Sequence, residues 1–408
     1  MTTGSSGERK TRAGVGFDRC PRGEGGERLD GGRRITDYAT AREVLRGRGV
    51  RQAGFRAELL ERIRGRSRMA VLFQEGEAHR KQRIATARFF APRVVDTRHR
   101  ELMTTLSEGL VARLRREGRA LLDTMSLDLA VAVAAEIIGL TESDGAQMSM
   151  RLDRLLSQNY TRTGRWATAL RLLKVQWWMW RFYRRDVLPA IRARRAAPRE
   201  DVISHLLAEG YANRAILREC LMYGTAGMAT TREFIVMAGW HLLEREDLRR
   251  RFLDADEAGR IAVLEEILRL EPVVGTLYRR AEDDVALNAA GRSMAIPSGA
   301  LIEIDVRAVN ADPVVAGACP HRLDPDRVGA PKVPASGISF GEGHHRCPGA
   351  AVALQESAIF LDKLLREPGL QLSTPPTVAW NPIISSYELR GAMLTVGQAS
   401  PAPTRAPG

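Results

Sequence analysis

Cys347 sits in the run F-G-E-G-H-H-R-C-P-G at residues 340–349, and a long apolar segment, residues 350–365, follows at once. A thiol in that setting is poorly explained as a packing residue. Gly341, Gly343 and Gly349 permit backbone turns that side chains would block, so the chain can pass close to something flat. Arg346, His344 and His345 supply positive potential, and the start of the following helix adds its dipole. Together these features predict thiolate rather than thiol at Cys347. A thiolate held in a glycine-lined loop is what an axial iron ligand needs, and in haem proteins such a ligand favours O–O cleavage. The plainer reading, a structural cysteine beside a glycine turn, leaves the rest of the decamer unexplained.

The pattern F-G-x-G-x-H-x-C-x-G is the signature of the cytochrome P450 superfamily, and this segment resembles it at every fixed position. Further segments resemble the superfamily's elements in order and spacing, so the resemblance covers nearly the whole chain after about residue 33. It implies that Cys347 is the axial ligand of a haem iron, with Phe340, Gly341 and Gly349 shaping the cofactor loop. Glu266 and Arg269 are spaced to pair on one helix face and resemble the family's E-x-x-R. Arg327 lies in a segment that resembles F-D-x-x-R, with Leu323 in place of the usual aromatic. The implied role of Glu266, Arg269 and Arg327 is a buried network that braces the cysteine loop. His79 and Arg83 stand one helical turn apart, where two cations on one face suit a pair of carboxylates. They resemble the H-x-x-x-R that contacts the haem propionates. Arg279, in a segment resembling R-x-A-x-x-D-V, and His345 would add to that set.

The main departure from the family lies in residues 223–231, Y-G-T-A-G-M-A-T-T. The superfamily carries A-G-x-[acid]-T here, and the chain matches at Ala226, Gly227 and Thr230. Gly227 costs roughly 1 kcal/mol inside a helix, for which room for dioxygen is a chemical reason. Thr230 can bond back to the carbonyl of Ala226 and open the helix slightly. Its hydroxyl would then stabilise bound dioxygen and guide protons. The acid position, however, is Ala229, so half of the usual acid–alcohol pair is missing. In one reading water and another group, such as Glu233, relay protons and hydroxylation continues. In the other the enzyme performs a non-hydroxylating oxidation such as aryl or phenol coupling.

The resemblance further implies haem b (iron protoporphyrin IX) as cofactor, O2 as co-substrate, and electrons from NAD(P)H through a ferredoxin reductase and a small acidic ferredoxin. The chain has no flavin or nicotinamide fingerprint of its own. Arg80, Lys81 and Arg346 are candidate docking residues for such a partner. The expected substrate is an apolar or aromatic small molecule or small peptide of secondary metabolism, in a pocket walled by Leu72, Phe73, Met222, Met228, Ala229, Val274, Leu277 and Ile384. A haem sensor that has lost turnover is the competing class.

The elements that must position these residues are mostly helical. Apolar residues recur at three- and four-residue spacing over residues 96–116, 121–140, 185–195, 215–244 and 257–270, with Pro189 bending the third. Strand-like runs are short and fall in the last third, at 285–287, 301–306, 383–387 and 393–396, the last two read as a pair. The predicted fold is mainly α with small β-sheets, a single cytochrome P450 domain over residues 33–400. Residues 1–32 read as a loose segment and 401–408 as a tail.

At 408 residues and 44% hydrophobic the chain can bury a large core. Neither a leader-like apolar segment nor a membrane-spanning run is found, so a cytoplasmic monomer is expected. Cys20, Cys220, Cys319 and Cys347 lie far apart and read as unpaired thiols of a reducing compartment. The net charge of +13 comes mainly from arginine. Its scatter among acids argues against nucleic acid and suits an acidic protein partner. Residues 174–183, K-V-Q-W-W-M-W-R-F-Y, read as a helix face packed on its neighbours with arginines reaching outward.

Overall fold

A computed structural model describes residues 33–54, 70–156, 165–289, 292–381 and 384–397; the loose segment and tail expected at residues 1–32 and 401–408 lie outside them. Local signals set several helix ends. The Asp37 side chain accepts from the Thr40 N–H (2.9 Å) and starts the helix Tyr38–Arg46. Asp256 accepts from the Gly259 N–H (2.8 Å) and starts Glu257–Leu270. Gly118, at φ 72°, ends Arg100–Glu117 in the left-handed conformation that glycine adopts without strain.

Eleven strands form among the described residues: β1 Arg33–Ile35, β2 Val50–Ala53, β3 Arg119–Leu121, β4 Thr276–Ala281, β5 Val285–Ala289, β6 Arg292–Ile296, β7 Leu301–Asp305, β8 Gln371–Thr374, β9 Thr377–Asn381, β10 Ser386–Arg390 and β11 Met393–Thr395. The largest sheet has the order β1-β7-β4-β2, with β1 parallel to β7 and the other pairs antiparallel. Strands are thus not confined to the last third, because β1 and β2 complete a sheet whose centre comes from the C-terminal half. The expected C-terminal pair is also re-partnered. β10 begins at Ser386 and pairs with β9, while β11 lies between β3 and β8.

The main core lies among the helices Leu122–Ile138, Thr230–Glu244, Glu257–Leu270 and Ala350–Leu365, with Leu122, Ile235, Leu264 and Leu361 fully buried. They pack tightly at Gly239, where a Cβ would stand 2.9 Å from Leu122 Cδ2 and 3.5 Å from Leu361 Cδ2. A second core joins the large sheet to the helix Tyr38–Arg46 through Ile35, Leu45, Ile302, Ile304 and Ile338. The architecture is mainly α with small β-sheets, in one domain. Among the described residues, no helix is long and apolar enough to cross a membrane.

Three other expectations need correction. Residues 215–244 are not one α-helix. Asn213–Tyr223 runs into a π-helical turn, Gly224–Ala229, before Thr230–Glu244 resumes. The residues at 185–195 likewise divide into a π-helical turn, Tyr183–Val187, and Leu188–Ala196. The aromatic stretch is not packed away either. On the helix Arg165–Phe182, Trp177 and Trp180 are 48% and 56% exposed.

Candidate active site

The cysteine loop is shaped by two glycines with positive φ, Gly341 (71°) and Gly343 (70°). At Gly343 a Cβ would stand 2.3 Å from the Leu45 carbonyl oxygen, so only glycine lets the loop lie against the N-terminal helix. Gly349 has an ordinary φ of −87° and caps the helix Ala350–Leu365. The Cys347 N–H donates to the Phe340 carbonyl (2.7 Å), which closes the loop. Cys347 is exposed. Even so, the protein packed around it pushes the thiol pKa up, against the Gly349 N–H and the Arg83 and Arg346 charges that pull it down.

Behind the loop lies the Glu266 network. Arg269 donates to both Glu266 oxygens (Nε 2.7 Å, Nη2 2.8 Å), and Arg327 Nε reaches Glu266 Oε1 at 3.2 Å. The same carboxylate accepts from the Asp324 N–H at 2.9 Å, and Arg269 Nη1 donates to the carbonyls of Asn310 and Pro320. Asn310 carries the contact to the cysteine loop. Its Nδ2 donates to the Arg269 carbonyl (3.0 Å), and its Oδ1 accepts from the Ile338 N–H (2.8 Å). The leucine at position 323 does not disturb this, because the network uses the backbone beside it.

The residues expected to meet the propionates come together at the loop's edge. The rings of His79 and His345 lie 4.2 Å apart. Burial, then the neighbouring His345 and Arg83, holds His79 down at about 4. Burial lowers His345 as well, with Arg279 and His344 acting in the same direction and Glu75 against it. Arg83 donates to the Arg346 carbonyl. Arg279 lies on the central strand β4, between β7 and β2. It is 3% exposed, Nη1 donates to the Tyr278 carbonyl (2.8 Å), and Nε has no partner. Burial lowers its pKa to about 10. The carboxylate that faces this group is Glu75, held at about 2 against the effect of burial by hydrogen bonds from His345 Nε2 (3.0 Å) and the Gln52 N–H (2.6 Å). A buried guanidinium with an unused donor, histidines and an accessible thiol fit an iron porphyrin with two carboxylates.

The π-helical turn ends at Ala229. The Thr230 hydroxyl donates to the Ala226 carbonyl at 2.5 Å, the back-bond expected from the sequence. A Cβ on Gly227 would meet nothing within 4 Å, so this glycine faces open space. Leu72, Phe73 and Met222 pack together with Ala70 in a small cluster of their own. Val274 packs at the edge of the main core and Leu277 at the edge of the second; Ile384 is buried in the main core. Met228 is fully buried against Gly224 and the helix Gly145–Leu156.

Glu233 is engaged elsewhere. Its carboxylate accepts from the Leu389 N–H (2.7 Å), Arg390 Nη1 (2.7 Å) and Arg232 Nε (3.1 Å), which ties the central helix to β10. Two buried carboxyls were not singled out from the sequence. Glu219 accepts from the Val71 N–H and Gln82 Nε2 beside the Leu72–Met222 cluster, and burial pushes it up to about 7. Glu356, on the helix that follows Cys347, is wholly buried and rises to about 8; burial drives the shift and a hydrogen bond with Thr231 opposes it. Its Oε2 has no partner.

Residues 261–385, which span the Glu266 network, Arg279 and Cys347, match the family model "Cytochrome P450". The chain is 27% identical over 310 residues to the biotin biosynthesis cytochrome P450 of Bacillus subtilis, covering 74% of each. It is 28% identical over 327 residues to the biflaviolin synthase CYP158A1 of Streptomyces coelicolor, covering 76% of this chain and 73% of that protein. Among solved structures, P450BioI in complex with an acyl carrier protein ligated to hexadec-9Z-enoic acid has the same fold. The TM-score is 0.71 at 23% identity, over 89% of this chain and 92% of that one. In sequence over about three quarters of its length, and in fold, the chain resembles bacterial cytochromes P450.

Proposed function

We propose that Cys347 ligates the haem iron through its thiolate, and that the enzyme oxidises an apolar or aromatic small molecule of secondary metabolism. When bound, the haem supplies the oxygen-activating chemistry. The residues of the chain supply its setting. Arg279, His79, Arg83 and His345 hold the two propionates, and the unused Arg279 Nε is the observation that carries this reading. A buried guanidinium with an unused donor is unfavourable, and a carboxylate there would supply a charge-assisted hydrogen bond. The Glu266 network keeps the cysteine loop in register. Gly227 leaves room at the π-helical turn, as such turns often do at functional sites. Thr230 offers its hydroxyl there. The cluster of Leu72, Phe73 and Met222 forms part of the substrate wall.

Proton supply follows from what surrounds Ala229. Glu233 is held by two arginines and a backbone N–H. Glu356 keeps its proton at neutral pH and meets Thr231 on the central helix. It is therefore the group that holds the proton in place of the missing acid. Electrons come from NAD(P)H through a reductase and an acidic ferredoxin, for which the exposed Arg80, Lys81 and Arg346 offer a docking face. The absence of an acid at Ala229 gives a second reading, aryl or phenol coupling, specific weight.

The carbon-monoxide difference spectrum of the reduced protein tests the assignment. A strongly red-shifted Soret band that Cys347→Ser abolishes is expected. A band at the histidine-ligated position in the unsubstituted protein would overturn it.

A further inference from the structure

Leu170, Leu173, Trp177 and Trp180 recur at spacings of three, four and three, so they share one face of the helix Arg165–Phe182. All four face solvent: Leu170 and Leu173 are each 68% exposed, Trp177 48% and Trp180 56%. A continuous apolar ridge about 15 Å long differs from singly scattered surface residues and marks an interaction site. Its surroundings are cationic. The Arg181 guanidinium lies 4.8 Å from the Trp177 ring centroid, and that of Arg184 lies 5.8 Å from Trp180. Lys174 is exposed beside them. Residues 165–185 contain no acid. The next residue, Asp186, is fully buried in a bidentate pair with Arg151 and neutralises nothing outside.

We propose that this ridge docks on an anionic lipid surface. The helix would lie in the plane of the headgroups, with leucines and tryptophans at the acyl boundary and Lys174, Arg181 and Arg184 on lipid phosphates. The charge pattern selects this occupant. A second copy of the chain would set one cationic ridge against another. An acidic protein would need a groove cut to a convex row of two indoles and two leucines, whereas a lipid surface adapts to any such shape. The tryptophans suit the boundary because each ring is apolar and carries one polar N–H. The proposal does not depend on which molecule the enzyme oxidises.

The test is flotation of the haem-loaded full chain with vesicles of phosphatidylcholine alone, or mixed with phosphatidylglycerol, at moderate salt. Binding to the anionic vesicles is expected, with quenching of tryptophan emission by brominated acyl chains. The double variant Trp177→Ala/Trp180→Ala, and separately Leu173→Glu, should weaken binding by roughly tenfold or more with haem content unchanged. Equal vesicle binding by parent and variants would overturn the proposal, because the net charge of +13 alone would then account for it. Failure of the parent to bind anionic vesicles would also overturn it, including the outcome in which only an acidic protein is bound.

Discussion

Replacing Glu356 by glutamine removes a single titrating proton from the interior and leaves the shape nearly unchanged. Burial raises this carboxyl from its ordinary 4.5 to about 8. Between those values the folded chain keeps the proton while the unfolded chain has released it. Stability is therefore full below pH 4.5 and falls as pH rises, by about 1.4 kcal/mol per unit, until the folded group itself ionises near pH 8. At pH 7 the cost is about 3 kcal/mol. Glu356→Gln has no such proton, so its stability relative to the parent should climb by about 3 kcal/mol between pH 5 and pH 8 and level off above. Urea unfolding of the haem-loaded protein, followed by far-ultraviolet circular dichroism at half-unit pH steps, measures the difference. A difference that stays flat across this range would mean that Glu356 is ionised in the fold, and the proton-holding role would go with it. A parallel measurement of product formed per NAD(P)H consumed should show the variant wasting more electrons on peroxide.

Other substitutions probe the rest of the site. Arg279→Leu removes a charge-assisted donor worth about 1.5–3 kcal/mol, so haem should transfer to apomyoglobin roughly ten to a hundred times faster; an unchanged rate would take Arg279 out of propionate binding. Glu266→Gln leaves Arg269 and Arg327 buried without their anion, at a cost of about 3–5 kcal/mol. The denaturant midpoint should drop and haem incorporation fail, whereas a small, surface-like change would show the network to be dispensable. Ala229→Asp restores an acid before Thr230: more product per electron with the same product identifies proton supply as limiting, while a changed product ratio points to coupling chemistry.

Which parts of this were legible in the sequence follows a physical pattern. The cysteine loop and Glu266 network could be read because each needs particular residue types at fixed spacing. The π-helical turn could not, since one inserted residue leaves the three- and four-residue apolar rhythm of 215–244 almost intact. β4 escaped notice because its sequence, T-L-Y-R-R-A, places a guanidinium where a central strand normally carries an apolar side chain. That anomaly is what marks Arg279 for the proposed propionate role. Glu356 looks like an ordinary surface acid in A-L-Q-E-S-A, and only the crossing of its helix with the central helix buries it. The tryptophan stretch misled for the opposite reason. Its composition suits a core, and no periodicity rule says which neighbour, if any, lies opposite.

The contact of Gly343 with the Leu45 carbonyl has a consequence for how the protein is made. Glu342 pairs with Arg46 across 296 residues of sequence, and β1 joins β7 over a similar span. At about 5–20 residues per second on the ribosome, the N-terminal helix waits about 15–60 s for its partner. Until then the nascent chain shows an incomplete sheet edge and has no thiol loop. Porphyrin capture thus waits until the thiol loop has left the ribosome, whereas the unpaired sheet edge needs protection before that, during synthesis.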